Sequence, residues 1–278
     1  MSFLILDIVT TSAILFAVSL GLLLIFGVMK IINFAHGTFL TIGGYSALVA
    51  TQAGFSPWLA FPLAMAAGLV LGMAVERLVV RPLYGRPLDA ILATWGLAIT
   101  IGQVITLVFG REVQFVETPV RGTVSLLGVD YSEYRLLLVG AALILGVGVA
   151  LVLHGTRLGL VARAVIANEE LAAGLGINSR LVRFVTFSLG TALAALAGAL
   201  ITPLSSVDPN MGVPWLMSAF MLVMVAGSSL VGLLLATTLL GGAQVIISTY
   251  GSPVLGGMAI VVLSAVILRL HPKGFSHE

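Results

Sequence analysis

Long apolar runs separated by short polar stretches make up almost the whole chain. Most runs approach the roughly 20 residues that a helix needs to cross a bilayer. Because backbone polar groups cannot stay unpaired in lipid, the pattern predicts transmembrane helices, and the alternating polarity of a transmembrane barrel is absent. The eight apolar blocks are 3–28, 34–52, 58–75, 90–109, 136–153, 184–207, 215–250 and 253–268.

The block 215–250 is too long for one helix, since at about 1.5 Å per residue it would exceed a ~30 Å hydrocarbon core by about 20 Å. We predict a break near Gly227, with 34–52 or the first half of the broken block as re-entrant alternatives. The expected fold is an all-α integral membrane protein, a polytopic bundle of about eight to nine transmembrane or re-entrant helices. It forms a single domain, 1–278, without a 20- to 50-residue repeat. Gly190, Ala194 and Gly198 are spaced for close helix packing.

Charge defines the sidedness of this bundle. Only 9% of residues are charged and 59% are hydrophobic, whereas a soluble domain carries roughly a quarter charged residues. Ten of the 13 basic residues fall on one side of the predicted spans, and the positive-inside rule makes that side cytoplasmic. The loop 110–134 and the N-terminus then lie outside, and the C-terminus is cytoplasmic. The ten are Lys30, Arg77, Arg81, Arg86, Arg157, Arg163, Arg180, Arg183, Arg269 and Lys273.

Motifs for catalysis are missing from the sequence. It contains no G-x-x-x-x-G-K-[ST], no G-x-S-x-G and no H-E-x-x-H. It has no cysteine for a disulfide or a metal ligand, and no carboxylate pair inside the bilayer of the kind that proton-coupled carriers use. We therefore expect no catalytic residue, metal or cofactor on this chain, and no binding of nucleic acid, since no basic run occurs.

Polar residues interrupt the apolar pattern in the second and fourth blocks. A helical wheel that starts at Asn33 places Gly37 and Gly44 on one small face, with His36 beside it. An unpaired amide in hydrocarbon costs several kcal/mol, so these side chains either cap or bond a neighbouring helix, or line a solute pathway. The pathway candidates are Asn33, His36, Gly37, Thr38, Thr94, Thr100 and Gln103.

The cytoplasmic segment 156–183 is long for a connection between two spans. Leu158, Val161 and Val165 recur at helical spacing. Asn168 is placed to cap a following turn, which Gly176 would end. We predict two short helices along the inner membrane face, which serve either as an interfacial amphipathic element or as a docking element for a cytoplasmic partner.

Four stretches, in order along the chain, resemble motifs of one known family. They are I-N-F-A-H-G-T-F-L-T-I-G-G-Y-S-A-L at 32–48, R-P-L-Y-G-R-P-L-D-A-I-L-A-T-W-G-L at 81–97, R-A-V-I-A-N-E-E-L-A-A-G-L-G-I at 163–177 and P-N-M-G at 209–212. The resemblance is to permease subunits of branched-chain amino acid ABC transporters and covers almost the whole chain. One stretch departs from it: V-A-G-S-S-L-V-G at 225–232 replaces the glycine-dense G-G-x-G-S-x-x-G of that family.

The resemblance implies a location in the bacterial inner membrane, with the loop 110–134 in the periplasm. It also implies a set of partners and residue roles. A periplasmic substrate-binding protein would deliver an amino acid to two permease chains, this one with a second homologous subunit or a second copy. Two cytoplasmic ATPase subunits would hydrolyse ATP. The alternatives are a permease for urea or short amides, an ATP-independent channel or carrier for a small neutral solute, and an intramembrane enzyme. By the match, the ATPases would dock on Arg163, Asn168, Glu169, Glu170, Gly174 and Gly176, and the binding protein on Asp208 and Asn210 with the loop 110–134.

Overall fold

The structure is a computed structural model that describes residues 2–126, 128–272 and 274–275. Eleven α-helices and one two-stranded hairpin are found in these ranges. The helices are α1 (Ser2–Met29), α2 (His36–Gln52), α3 (Ala60–Val75), α4 (Pro87–Phe109), α5 (Glu133–Gly155), α6 (Arg157–Ala167), α7 (Glu169–Gly174), α8 (Ser179–Ser205), α9 (Gly212–Ala226), α10 (Leu230–Tyr250) and α11 (Pro253–Leu270). The strands are β1 (Thr123–Leu126) and β2 (Val129–Ser132), which pair antiparallel.

Seven helical segments are long and apolar enough to cross a membrane. They are α1, α4, α5, α8, α10, α11 and α3 with its extensions, which together span Pro57–Leu83. The predicted helical membrane bundle is confirmed, and the hairpin in the loop 110–134 is a small exception to the all-α expectation. A π-helical turn, Glu76–Val80, lies in the extension of α3.

The long apolar block breaks where its length requires it. Helix α9 ends at Ala226 and α10 begins at Leu230. Gly227 has φ +68°, a left-handed conformation that favours glycine at a helix end. The Ser229 hydroxyl caps α10 by accepting from the Gly232 amide at 3.2 Å. The break near Gly227 is therefore confirmed, although this stretch lacks part of the expected glycine pattern.

Small residues let the central helices approach closely. Helix α8 packs against α1, α2 and α3. A methyl group added at Gly190 would lie 2.7 Å from the carbonyl oxygen of Gly21 on α1, and one added at Gly198 would meet the backbone of Leu40 on α2. The predicted packing role of Gly190 and Gly198 is confirmed, because a larger residue at either position would separate two helices.

The two ends of the chain lie on opposite faces of the bundle. Near the start of α1, the Asp7 carboxylate accepts hydrogen bonds from Arg135 at 2.6 Å and from the Tyr131 hydroxyl at 3.0 Å. At the other end, the Phe275 amide donates to the carbonyl of Val225, the penultimate residue of α9, at 2.8 Å. We call the first surface the N-terminal face and the second, which includes α6 and α7, the C-terminal face. Opposite ends agree with the predicted odd number of crossings.

Two of the crossings are half extended and half helical. After α1 the chain turns at Lys30, runs without helix through 31–35, and begins α2 beside Val18, in the middle of α1. After α8 it turns at Ser206 and begins α9 at Gly212. Lys30 (φ 53°) and Ser206 (φ 71°) are the only non-glycine residues with positive φ in the described ranges. These segments are broken crossings and not re-entrant loops. Asn33 precedes α2, so its place on the helical wheel is wrong, whereas Gly37 and Gly44 do share one face of α2, against residues 211 and 212.

Candidate functional site

A side-chain turn prepares the start of α2. The Asn33 carboxamide oxygen accepts from the Ala35 amide at 3.1 Å, and the His36 amide donates to the Asn33 carbonyl at 3.2 Å. His36 Nε2 lies 3.0 Å from the carbonyl oxygen of Val18. Asn33 and His36 thus fix where the helical half of this crossing begins and tie it to α1.

The start of α9 repeats this turn. The Asp208 carboxylate accepts from the Asn210 amide at 2.8 Å, and the Met211 amide donates to the Asp208 carbonyl at 3.1 Å. Asp208 follows Asn33 by 175 positions in the sequence. Since α1 and α8 run in opposite directions between the two faces, the segments that contain these turns, α1 with α2 and α8 with α9, form an inverted pair. The sequence signal is a shared Asx-x-x-x-Gly spacing, which a search for 20- to 50-residue repeats does not detect.

The two broken crossings meet at what we call the central junction, residues 33–41 and 208–212. A methyl group added at Gly37 would lie 2.7 Å from the Gly212 carbonyl oxygen, and one added at Gly212 would collide with the Gly37 carbonyl. The Thr41 hydroxyl joins them: it donates to the Gly37 carbonyl and accepts from the Gly212 amide, each at 3.2 Å. The positive ends of two helix dipoles therefore lie side by side near the middle of the bundle.

Most of the predicted pathway residues are inside the subunit. Asn33, His36, Gly37 and Thr38 are buried. Thr94 is 1% exposed; its hydroxyl accepts from the Phe34 amide at 3.3 Å. Within the part of the chain that the structure describes, Asn33 Nδ2 and His36 Nδ1 have no hydrogen-bond partner. In the single chain these residues cap helices or contact neighbouring helices. This is the first of the two alternatives given by the sequence, the other being a role in lining a solute pathway.

Other polar residues point away from the subunit within the spans. Thr100 and Gln103 are exposed on α4, Asn210 is exposed just before α9, and Ser218 is partly exposed on α9. Helix α2 contacts both α4 and α9. An exposed carboxamide within a membrane span needs protein or water beside it. These side chains therefore mark a surface that lipid does not cover favourably.

The connection between α5 and α8 folds as two short helices, as predicted. The Asn168 side chain accepts from the Leu171 amide at 3.0 Å and caps α7, and Gly176, with φ +83°, follows its end. We call residues 156–183 the coupling segment. The predicted apolar face of α6 is partly wrong: Val165 is buried with Gly159 and Ala162, whereas Leu158 is 61% exposed.

A chain of side-chain contacts joins the coupling segment to α3. Glu169 forms an ion pair with Arg183. The Arg183 guanidinium lies over the Tyr84 ring, 4.6 Å from its centroid, and the Tyr84 hydroxyl donates to the Glu76 carboxylate. Glu76 is fully buried in the π-helical turn, a feature frequent at functional sites. Burial, together with the hydrogen bond to Glu76, raises the pKa of the Tyr84 hydroxyl above its ordinary value, so Tyr84 stays a donor.

The same segment exposes groups on which a partner can bind. Arg163, Asn168, Glu170, Gly174 and Gly176 are exposed, while Glu169 is partly occupied by Arg183. Sequence reasoning missed Leu171 and Leu175, which are 67% and 82% exposed. They are four positions apart, with Leu171 within α7 and Leu175 directly after its last residue, and Ala172 of α7 is buried. That spacing was the available signal for an apolar docking surface.

The loop 110–134 is attached to the second broken crossing. Gln114 and Val207 exchange backbone hydrogen bonds of 2.8 Å in both directions. Asp208, one residue later, uses its carboxylate in its own turn, and Asn210 is exposed. Within the described ranges, no group of three His, Asp or Glu side chains converges as metal ligands would.

Comparison with known proteins gives similarity over most of the chain. Residues 4–269 match the family described as the permease component of branched-chain amino acid transport systems. The chain is 29% identical over 268 residues to the high-affinity branched-chain amino acid transport system permease protein BraD of Pseudomonas aeruginosa, with 88% of this chain and 87% of BraD covered. It is 27% identical over 283 residues to the probable branched-chain amino acid transport permease protein LivH of Methanocaldococcus jannaschii, with 95% and 89% covered.

Two further similarities are more limited. The ribose import permease protein RbsC of Escherichia coli is 33% identical over 129 residues, which cover 42% of this chain and 40% of RbsC. Among solved structures, PsaBC from Streptococcus pneumoniae in complex with Fab has a TM-score of 0.51 at 11% identity, with 96% of this chain and 91% of that chain covered. This last likeness concerns the fold alone.

Proposed function

Because the chain belongs to the family of permease components of branched-chain amino acid transport systems, we propose that it is the membrane subunit of an ATP-driven importer. Its cargo would be a branched-chain or other hydrophobic amino acid, moved across the bacterial inner membrane. The observation that carries the ATP-driven part is the coupling segment, a folded element whose exposed Leu171 and Leu175 offer an apolar surface.

The energy would come from two separate ATPase subunits bound at this surface on the cytoplasmic side. A displacement of α7 would reach α8 through the ion pair of Glu169 with Arg183. It would reach α3 through Tyr84 and Glu76. Because Glu76 is fully buried, its carboxylate is costly to separate from the Tyr84 hydroxyl. The contacts therefore favour joint movement of α3, α7 and α8.

The solute path would run beside the exposed Thr100 and Gln103 of α4, the exposed Asn210 just before α9, and the partly exposed Ser218 of α9. A second permease subunit, homologous or identical, would close this path on its other side and keep these groups from lipid. The paired positive helix ends at the central junction favour the carboxylate of an amino acid nearby. In this arrangement Asn33, His36, Gly37, Thr38 and Thr94 support the path from behind.

The N-terminal face would be periplasmic. The loop 110–134, tied to the second broken crossing by Gln114 and Val207, would receive the substrate-binding protein. Asp208 and Asn210, which the sequence assigned to this docking surface, lie in the central junction instead. Release of cargo would thereby act directly on the segment that ends at the central junction. This orientation follows the positive-inside rule, since Arg157, Arg163 and Arg183 lie at the C-terminal face.

Two other cargoes compete with an amino acid, and a transport assay distinguishes them. Urea or a short amide shares the small size and hydrogen-bonding groups of an amino acid, and a pentose is suggested by the partial similarity to RbsC, a ribose import permease. An ATP-independent channel or carrier is the mechanistic alternative.

Reconstituted transport tests the proposal. The chain is placed in sealed vesicles with its second permease, both ATPases and the binding protein, and uptake of labelled leucine, urea and ribose is followed with and without ATP. We expect leucine uptake that requires ATP and the binding protein and that survives a proton uncoupler at constant ATP. Uptake without ATP would contradict the importer assignment, and ATP-driven uptake of urea or ribose alone would contradict the cargo.

A further inference from the structure

A wide apolar groove opens between α5 and α8 on the half of the bundle nearest the C-terminal face. Its volume is about 750 Å³, within the range of small-molecule binding cavities. Residues 144–153 of α5 and 181–193 of α8 supply the walls, and α1 lies behind them. Helix α6 and residues 176–178 of the coupling segment close the end at the C-terminal face. A methyl group added at Gly148, in the α5 wall, would meet nothing within 4 Å.

The depth of the groove corresponds to one leaflet. Residues 144 to 153 of α5 rise about 14 Å and residues 181 to 193 of α8 rise about 18 Å at 1.5 Å per residue, which is about half of a ~30 Å hydrocarbon core. A transmembrane helix of a partner would need a groove along the full thickness of the core. A lipid acyl chain needs only one leaflet, so the depth favours lipid as the occupant.

Most polar groups of the groove lie at its α6 end, and Thr186 is a polar residue farther along the α8 wall. Arg157 and Asn178 line it there, and Arg157 is the first residue of α6, whose helix N-terminus is positive. Arg157 has no carboxylate within 4.0 Å in the described ranges. Nearly all other lining residues are apolar, among them Leu23, Val149 and Leu189. An arginine above an apolar slot is complementary to an anionic headgroup above an acyl chain.

We infer that this groove binds one anionic phospholipid from the leaflet at the C-terminal face, with an acyl chain between α5 and α8 and its phosphate at Arg157. In the proposed orientation this is the inner leaflet. The lipid would support α6 from behind, since Gly159 and Ala162, which line the groove, are among the buried residues of that helix. The binding itself does not depend on which solute the protein carries.

Selectivity among lipids comes from the headgroup, because any phospholipid supplies an acyl chain. One arginine near an anionic surface predicts a preference of several-fold over a zwitterionic lipid. The purified full chain is equilibrated with equal amounts of phosphatidylglycerol and phosphatidylcholine, and lipids that remain bound are counted by native mass spectrometry. We expect one retained phosphatidylglycerol per chain, favoured several-fold.

Two pairs of variants test the site. R157Q should abolish the headgroup preference, while R269Q, the same change at the same face but outside the groove, should keep it. G148L should fill the groove and reduce retention of both lipids. G140L lies on the same helix with equally open space but outside the groove, and should retain lipid as the wild type does. Size-exclusion profiles identify any variant that fails to fold.

Three results would overturn the inference: no headgroup preference in the wild type, an unchanged preference in R157Q, or unchanged lipid retention in G148L. A second copy of the chain is the competing occupant. Since the sequence has no cysteine, G148C provides a single thiol for a bis-maleimide cross-linker in native membranes. A cross-linked dimer through this position would assign the groove to a partner subunit and contradict a lipid site.

Discussion

The central junction and the coupling segment are held together by opposite means. At the junction, two glycines bring backbones into contact, and hydrogen bonds run mainly between backbone groups and short side chains such as Thr41. In the coupling segment, long charged and aromatic side chains make the connections, with Arg183 between Glu169 and Tyr84. Helices whose backbones touch can move little relative to each other. Helices that are joined by long side chains can move while those side chains stay in contact. The difference predicts a rigid pivot inside the membrane and an adjustable connection at its surface.

The largest effect is expected from enlarging the pivot. Gly212→Leu places a side chain against the Gly37 carbonyl and should destabilise the protein by about 3 kcal/mol or more. The reason is that the backbone of α2 cannot move aside without disturbing its other contacts. The measurement is the thermal melting midpoint and the yield of monodisperse protein. Gly257→Leu is the matched control, because a side chain added at this position of α11 meets no atom within 4 Å. Its melting midpoint should be close to that of the wild type. Equal melting of both variants would mean that the junction is not a tight contact.

A smaller effect, limited to binding of the ATPase subunit, is expected when an exposed leucine of the coupling segment is replaced. Leu175→Asp removes an apolar side chain worth about 2 kcal/mol when buried in an interface, which corresponds to roughly 30-fold in affinity. Binding of the purified ATPase subunit is measured by titration. Leu88→Asp changes a comparably exposed leucine, near the C-terminal face, outside the coupling segment, and should bind normally. Full ATPase binding by Leu175→Asp would remove α7 from the docking surface.

The smallest effect is expected from Tyr84→Phe. Loss of the hydroxyl leaves the buried Glu76 carboxylate without its donor, at a cost of about 1 kcal/mol. ATPase binding should persist while the number of solute molecules moved per ATP falls several-fold. Tyr250→Phe alters an exposed tyrosine and should leave this ratio unchanged. A normal ratio in Tyr84→Phe would show that movement does not pass through Glu76.

The sequence predicts well those features that depend on neighbouring residues. Run length alone required a break near Gly227, and Asn168 and Gly176 delimited α7 through local capping. The extended halves of the broken crossings could not be found this way. Ile31, Ile32 and Phe34 are as apolar as a helix interior, and hydrophobicity reports burial in the membrane without reporting backbone conformation.

The contacts between distant residues were also beyond the sequence. Arg183 lies 14 positions from Glu169 and 99 from Tyr84, so no local pattern indicates that it bridges them. The same holds for Gly37 and Gly212. Each glycine is ordinary in its own helix, and the need for it arises only where two backbones meet.

The most direct test of the account is the accessibility of the coupling segment. Leu175→Cys in this cysteine-free chain is treated with a membrane-impermeant maleimide in intact cells and in inside-out vesicles, with Ser125→Cys in the hairpin as the opposite marker. The account predicts that Cys at 175 is labelled only in inside-out vesicles and is protected when the ATPase is bound, while Cys at 125 is labelled only in intact cells. Labelling at 175 from outside intact cells, or labelling that the bound ATPase does not reduce, would contradict it.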